Sequence, residues 1–251
     1  MVHMGSRFFS PIPGAHVHHA TAVTILVACL AVAPTRATRA QASLNTLTPA
    51  ERDAGWRLLF DGNTTAGWRG FKSDSMPAGW HVVDGALTRV RPAGDIVSRD
   101  KFKNFELSLE WKISAGGNSG IFYRGSEDDE AIYWTAPEMQ VLDDARHPDG
   151  QSRLTAAGSD FGLYPAPAGV VKPAGQWNQV RIAVRGRHVE HWLNGVKVVE
   201  YEFGSPDWEA RVKASKFAPH TRYGRNAEGY IGLQDHGDWV AYRNIKIRVL
   251  P

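Results

Sequence analysis

A carboxylate and an amide alternate with apolar side chains in the stretch Glu138-Met139-Gln140-Val141. Successive side chains of a strand point to opposite faces, so Glu138 and Gln140 share one face while Met139 and Val141 point into a core. Asp143 falls off this alternation unless a bulge reorients it. Carboxylates and amides both hydrogen-bond hydroxyl groups, and a carboxylate also moves protons. The pattern indicates either a site for a polyhydroxylated ligand such as a sugar, or an ordinary solvated strand face.

Two further segments carry side chains of catalytic type. Gln234 and His236 are two residues apart, so they share one face of a strand, and Asp235 lies between them. A histidine next to an acid at the end of a strand suits a general base or a metal ligand. The alternative is a loop histidine held by a local hydrogen bond. Arg124 ends another predicted strand, and its rigid donor fork suits clamping a substrate oxygen, although arginines are common on surface strands.

Several weaker candidates accompany these segments. His191 and Trp192 lie on opposite faces of one predicted strand, so at most one of them faces a given cleft, and Tyr164 lies in an exposed turn. The possible metal ligands are oxygen and imidazole donors without a thiolate, which suits a hard or borderline divalent cation: Glu138, His236, Asp143 and His147. No phosphate-binding loop, zinc helix or nucleophile elbow occurs, and no organic cofactor is expected.

Strand patterns dominate the elements that would position these side chains. Phe105–Ile113 alternates apolar and polar residues over nine positions, as in a half-buried antiparallel strand. Asn194-Gly195 predicts a tight hairpin turn. Similar runs predict strands at residues 58–60, 80–83, 121–124, 177–185, 188–193, 196–203, 230–234 and 240–249. One helix is predicted from Ser205-Pro206 to about Phe217. The pattern indicates an all-β antiparallel sandwich of the jelly-roll kind with one short helix.

The amino-terminal segment has the features of an export signal. An apolar run covers Ala20–Ala33, which is shorter than the roughly 20 residues that span a bilayer, and Ala40-Gln41-Ala42 forms a small-x-small cleavage site. We therefore expect a signal peptide at residues 1–42, one domain at residues 43–251, and a periplasmic or secreted protein without membrane insertion. The alternative is lipid anchoring through Cys29, which ends the lipoprotein-like sequence Leu26-Val27-Ala28-Cys29.

The charge balance argues against nucleic acid as a partner. The chain has 29 basic and 26 acidic side chains. Residues 1–42 contain Arg7, Arg36 and Arg39 and no acid, so residues 43–251 carry 26 of each sign. The basic character belongs to the export signal, and the remaining domain lacks the excess positive charge of a nucleic-acid-binding protein. Cys29 is the only cysteine, so the domain has no disulfide.

Taken together, residues 56–249 resemble the 3-keto-disaccharide hydrolase family. The resemblance rests on five blocks in order: Leu59-Phe60-Asp61-Gly62 with Gly67-Trp68, Ser119-Gly120-Ile121 with Arg124, Glu138 to Asp143, His191 to Gly195, and Gly232 to Gly237 followed by Tyr242-Arg243-Asn244-Ile245. The resemblance implies a concanavalin-like jelly roll, export from a bacterial cytoplasm, and cleavage of sugars oxidised at C3.

Such a reaction is consistent with the candidate residues. A ketone at C3 acidifies the hydrogen at C2, so a base produces an enolate that expels the group at C1, and water then adds back. Glu138 or His236 is the expected base, and Arg124 or a divalent cation the electrophile. Gln140 and Gln234 would bind hydroxyl groups, while Trp192, Tyr164 or His191 would contact the sugar ring.

Two other functions remain open at this stage. A non-catalytic carbohydrate-binding domain would keep the amides and aromatic rings without depending on Glu138 or His236. A retaining glycoside hydrolase would use paired carboxylates, and the spacing Glu138-x-Gln140-x-x-Asp143 is loosely similar to the acid-rich strand of jelly-roll glucanases. An amide at the middle position counts against the second alternative.

Overall fold

A computed structural model describes residues 43–251 of the chain as two antiparallel sheets with few helices. The described residues form thirteen strands: β1 Trp56–Leu58, β2 Trp68–Gly70, β3 Trp80–Val83, β4 Ala86–Arg89, β5 Ile96–Phe102, β6 Phe105–Ile113, β7 Asn118–Gly125, β8 Glu138–Leu142, β9 Asn178–Arg185, β10 His188–Leu193, β11 Val196–Glu202, β12 Gly229–Leu233 and β13 Val240–Val249. The predicted all-β sandwich is confirmed. The predicted signal peptide and Cys29 lie outside the described residues.

The larger sheet has eight strands in the order β11-β10-β9-β6-β13-β4-β3, with β1 also paired to β13. The alternating strand β6 lies between β9 and β13, and its apolar residues Phe105, Leu107, Leu109 and Trp111 are buried. The predicted turn at Asn194 and Gly195 joins β10 to β11. Both residues have positive φ, 50° and 84°, as a type I′ turn requires.

The smaller sheet has five strands in the order β2-β5-β12-β7-β8. Strand β8 is an edge strand of this order and pairs with β7, so that Gly120 lies opposite Gln140 and Phe122 opposite Glu138. Met139 and Val141 belong to the main apolar core. Glu138 and Gln140 therefore point to the outer face of this sheet, away from the core, as the alternation predicts.

The helices require one correction to the prediction. The expected helix is present as α2, Pro206–Lys213, with the Ser205 side chain capping the amide of Trp208, but it ends four residues before Phe217. A second helix, α1 at Pro49–Asp53, begins with a capping box between Thr48 and Glu51. Two short 3₁₀ helices cover Ile132–Trp134 and Pro148–Gln151. None of the helices in the described range is long and apolar enough to cross a bilayer.

Candidate active site

A cleft of about 820 Å³ lies on the outer face of the smaller sheet. Its floor consists of polar side chains from three neighbouring strands: Asn118 from β7, Glu138 and Gln140 from β8, and Gln234 just after β12. Aromatic rings and loop residues form the walls, including Phe71, Tyr133, Trp134, Phe161, Lys216, Asp95, Asp235 and His236. A volume of this size lies in the usual range of 300–1,000 Å³ for small-molecule sites.

Among the carboxyl groups that line the cleft, Glu138 has the pKa that is raised most. Its side chain is only 5% exposed, and burial raises its pKa to about 8; Asp95 and Asp160 raise this pKa further, whereas Lys216 opposes the shift. Its carboxylate lies against the backbone of β7, where a Cβ atom on Gly120 would approach Oε1 to 1.9 Å. Glycine at position 120 thus leaves the space that Glu138 occupies. A carboxyl group with a pKa near the working pH suits proton transfer.

The amides of the floor have hydrogen-bonding capacity that the protein does not use. Both Oε1 and Nε2 of Gln140 are buried without a partner, and so are Oε1 of Gln234 and Oδ1 of Asn118. Buried polar atoms are normally paired, so several unpaired ones in one cleft indicate a polar ligand or ordered water. The floor thus offers donors and acceptors beside one titratable carboxyl group.

Asp95 and Asp235, two of the three aspartates that line the cleft, differ in their partners. Asp235 forms an ion pair of 2.7 Å with Nε of Arg89 and accepts hydrogen bonds from the amides of Ala93 and Gly94. The amide of Asp235 donates to Asp95 at 2.8 Å, while burial raises the pKa of Asp95 to about 6. Asp235 therefore fastens the loop after β12 to the segment before β5, which positions Gln234 and His236.

His236 lies at the exposed rim of the cleft. Its ring centroid is 6.5 Å from that of His147, in an edge-on arrangement. Nδ1 of His147 accepts a hydrogen bond from the amide of Asp149 at 3.1 Å. Four of the residues that the sequence nominates for the site therefore line the same cleft: Glu138, Gln140, Gln234 and His236.

The aromatic wall comes from loops. Trp134 belongs to the short 3₁₀ helix before β8 and stacks on His220, with ring centroids 3.7 Å apart and planes within 3°. The ammonium group of Lys216 lies 4.3 Å from the ring centroid of Phe161 and 6.0 Å from that of Tyr133. Desolvation lowers the pKa of Lys216, whereas Glu138 and Asp149 act in the opposite direction.

Arg124 does not reach the cleft, contrary to the expectation that it binds a substrate oxygen. Its guanidinium donates to the carbonyl oxygens of Lys103 at 2.7 Å and Gly186 at 2.8 Å. It therefore ties the β5–β6 turn to the β9–β10 turn, and its donors serve the backbone. These partners belong to turns that are distant in the sequence, so the residues around Arg124 did not predict them.

His191 and Trp192 also lie elsewhere. His191 is fully buried between the sheets, bonded to the hydroxyl of Tyr123 at 2.7 Å and to the carbonyl of Gly158, and burial lowers its pKa to about 4. Trp192 is on the outer face of the larger sheet, where Arg181 lies 4.4 Å above its ring. Neither side chain lines the cleft, so the predicted contact with the sugar ring does not fit their positions.

Tyr164 lies outside the cleft as well. It stacks on Tyr201 at 4.9 Å and donates a hydrogen bond of 2.7 Å to Asp207 of α2. It packs the loop between β8 and β9 against the helix. Its position therefore does not fit the ring-stacking role expected of Tyr164.

The predicted metal ligands are not brought together. Asp143 is buried, and its carboxylate accepts the amides of Gly116 and Ala145. Within residues 43–251, the one group of three suitable donors with ligand atoms within 4.8 Å of one another is His188, Glu190 and Glu200, on the larger sheet. The arrangement of Glu138, His236, Asp143 and His147 therefore does not fit a cation site built from these four side chains.

The sequence-based prediction missed most of the walls. Asn118 directly precedes the block Ser119-Gly120-Ile121 and shares a strand face with Gly120, so the sequence contained a signal for its position. The other missed residues have no periodic sequence pattern: Tyr133 and Trp134 come from a short 3₁₀ helix, and Asp95, Phe161 and Lys216 come from loops. Loop geometry depends on tertiary contacts, so the sequence offered no comparable signal for these residues.

A jelly roll whose cleft combines a titratable carboxyl group, free amides and aromatic rings defines a carbohydrate-active protein. Comparison with known proteins makes this class more specific. Residues 55–248 match the model of the 3-keto-alpha-glucoside-1,2-lyase-like domain, and the chain belongs to this family. The resemblance predicted from the sequence is therefore confirmed, and with it the class of enzyme that acts on glycosidic bonds.

Relatives of known name or structure agree with the family. A 3-keto-disaccharide hydrolase of Bacteroides thetaiotaomicron is 37% identical over 234 residues, which cover 80% of each chain. A crystal structure of a candidate glycosyl hydrolase from Parabacteroides distasonis is 34% identical, with a TM-score of 0.76, and covers 83% of this chain and 100% of the other. A second such structure from the same organism is 31% identical, has a TM-score of 0.65, and covers 78% of this chain and 99% of the other.

Proposed function

We propose that the protein hydrolyses 3-keto-disaccharides or related 3-keto-glycosides by elimination at C1–C2 followed by addition of water. The observation that carries this proposal is Glu138, a buried carboxyl group with a pKa of about 8 beside amides that have no partner in the protein. The family and the named relative support the substrate class. The cleft supports the proposed chemistry.

Glu138 is assigned the proton transfer at C2. The ketone at C3 makes the C2 hydrogen acidic, so a carboxylate with a raised pKa is a strong enough base to remove it. The C2–H electrons form the enolate, the enolate re-forms the ketone as an enone, and the C1–O bond breaks. The leaving oxygen takes a proton from protonated Glu138 or from the rim histidine His236, both of which line the cleft.

Water then completes the reaction. Its oxygen adds to C1 of the enone and a proton returns to C2, so the sum of both steps is hydrolysis without oxidation or reduction. Gln140, Gln234 and Asn118 have free amide atoms to bind the sugar hydroxyl groups that fix this geometry. The aromatic wall, with Trp134 and Tyr133, offers a face for the C–H surface of a ring.

The substrate test compares a ketone with its parent alcohol. We expect purified protein to cleave 3-keto-trehalose or a 3-keto-glucoside, and to leave the unoxidised sugar intact, because the C2 hydrogen is acidic only beside the ketone. Equal turnover of both sugars would favour a glycoside hydrolase with paired carboxylates. Binding of both sugars without turnover would favour a carbohydrate-binding domain.

A further inference from the structure

The cleft has a surplus of acidic groups around the position where negative charge develops. Five carboxyl groups line it: Asp95, Glu130, Glu138, Asp149 and Asp235. An enolate oxygen formed among them is destabilised unless a cation or hydrogen-bond donors face it. Asp235 is already neutralised by Arg89, whereas the other acids have no arginine or lysine of the cleft within ion-pair distance. The proposed reaction therefore needs a source of positive charge in this cleft.

Lys216 is the residue of the cleft that can supply it. Among the described residues that line the cleft, Lys216 is the only lysine or arginine, and the imidazole of His236 is the other basic group. The carboxyl groups that act on its ammonium electrostatically are those of Glu138 and Asp149. The side chain is solvent-exposed, so a substrate atom can reach its ammonium group.

The backbone around Lys216 is fixed although the side chain is exposed. Phe217, the next residue, is buried in the core, and its amide donates to Oγ of Ser215 at 3.1 Å. The ammonium lies 4.3 Å from the ring centroid of Phe161, whose own amide donates to the carbonyl oxygen of Glu138 at 3.0 Å. The cation is thereby held beside the strand that carries the proposed base.

We propose that Lys216 is a catalytic residue that donates a hydrogen bond to the C3 oxygen of the keto sugar and stabilises the enolate. This inference rests on the proposed function. Glu138 takes the C2 proton, the C2–H electrons move into the C2–C3 bond, and the C3 oxygen gains the negative charge that the ammonium faces. Lys216 keeps its own proton, so no additional acid, base or oxidant is required.

The test compares Lys216 with Lys213, the last residue of α2. Lys216→Met removes the cation from the cleft, and Lys213→Met removes an exposed lysine that does not line it. Loss of one oxyanion donor typically lowers kcat by about 10²–10³-fold. We expect a loss of this size in kcat for the Lys216 variant on 3-keto-trehalose, with KM changed far less, and wild-type kcat for the Lys213 variant. Lys216→Arg should restore part of the lost kcat, because it restores the charge.

The other outcomes separate this inference from the proposed function. If the wild-type protein cleaves the 3-keto sugar and folded Lys216→Met cleaves it equally fast, the role of Lys216 is wrong and the proposed function stands. Loss of activity on chelation, recovered on adding a divalent cation and independent of Lys216, would likewise overturn the role of Lys216. If the wild-type protein cleaves no 3-keto sugar, both proposals fail. Thermal unfolding of each variant identifies any that has not folded.

Discussion

The carboxyl group of Glu138 lies at the centre of the proposed reaction, because it is buried in the cleft and its pKa is raised to about 8. Its carboxylate lies against Gly120 on the same face of β8 as the unpaired amide of Gln140, so it faces the cleft rather than the core. Two expectations about catalysis follow from this one residue.

Glu138→Gln should lower kcat by about a hundredfold or more, the scale of a lost general base, while the fold stays intact. The substitution is nearly isosteric and leaves an uncharged group in a site where burial already disfavours charge. Glu130→Gln, an exposed carboxyl group at the same cleft, is the matched control and should retain activity. Near-normal turnover by folded Glu138→Gln would return Glu138 to the class of ordinary strand residues.

Activity should rise with pH through the neutral range. The base acts as a carboxylate, and burial raises the pKa of Glu138 to about 8, so the active form is a minority at pH 6 and a majority above pH 8. Above that, kcat/KM should fall as Lys216 loses its proton, since desolvation lowers its pKa. A profile of kcat/KM against pH measures both limbs, and a flat profile from pH 6 to 9 would contradict the assignment of the base.

At the scale of elements, the alternating strands were predictable and the loops were not. Strands β6, β10 and β13 have the predicted bounds, because a period of two together with turn residues determines where they begin and end. Strands β2, β4 and β5 were missed. Strand β5 shows the reason, since its run of Ser98 to Lys101 is polar and it is a strand through pairing with β12 and β2.

The site divides in the same way. The alternation of side chains along β8 predicted that Glu138 and Gln140 share a face, and both side chains lie in the floor of the cleft. Arg124 and His191 have side chains of catalytic type, yet neither lines the cleft. Arg124 donates to backbone carbonyl oxygens, and His191 is hydrogen-bonded to the hydroxyl of Tyr123 in the core. Residue type alone therefore did not distinguish a buried structural role from a role in the cleft.

The 3₁₀ helix before β8 should determine how well the second sugar ring binds. Trp134→Ala removes an aromatic face of the cleft and should raise KM for a 3-keto-disaccharide by about tenfold, which corresponds to about 1.4 kcal/mol. Trp192→Ala is the matched control, because its ring lies on the larger sheet under Arg181. Unchanged KM for Trp134→Ala, or a raised KM for Trp192→Ala, would place the sugar elsewhere.

At the scale of the whole molecule, the cleft is built on the outer face of the smaller sheet, and the main apolar core behind it contains residues of both sheets. The formal neutrality of residues 43–251 and the carbohydrate cleft agree with a protein that meets small neutral substrates. We propose that the chain is exported, since its amino-terminal apolar run and small-x-small site are typical of a signal peptide.

Export predicts a defined mature end. Expression in a bacterial host with an intact secretion system should yield protein that begins near Ser43, measured by mass spectrometry of the amino terminus. A protein that begins at Met1 in the cytoplasm would contradict export. A lipid-modified Cys29 at the amino terminus would replace free export with membrane anchoring.

The most direct measurement of the central claim is the fate of the C2 hydrogen. If the protein cleaves 3-keto-trehalose in deuterated water by elimination and addition, the product released from the cleaved ring carries deuterium at C2, detected by mass spectrometry and NMR at times too short for uncatalysed exchange. Unreacted sugar incubated without enzyme, and with Glu138→Gln, provides the background. Cleavage that leaves the original hydrogen at C2 would contradict proton abstraction and point to direct displacement at C1.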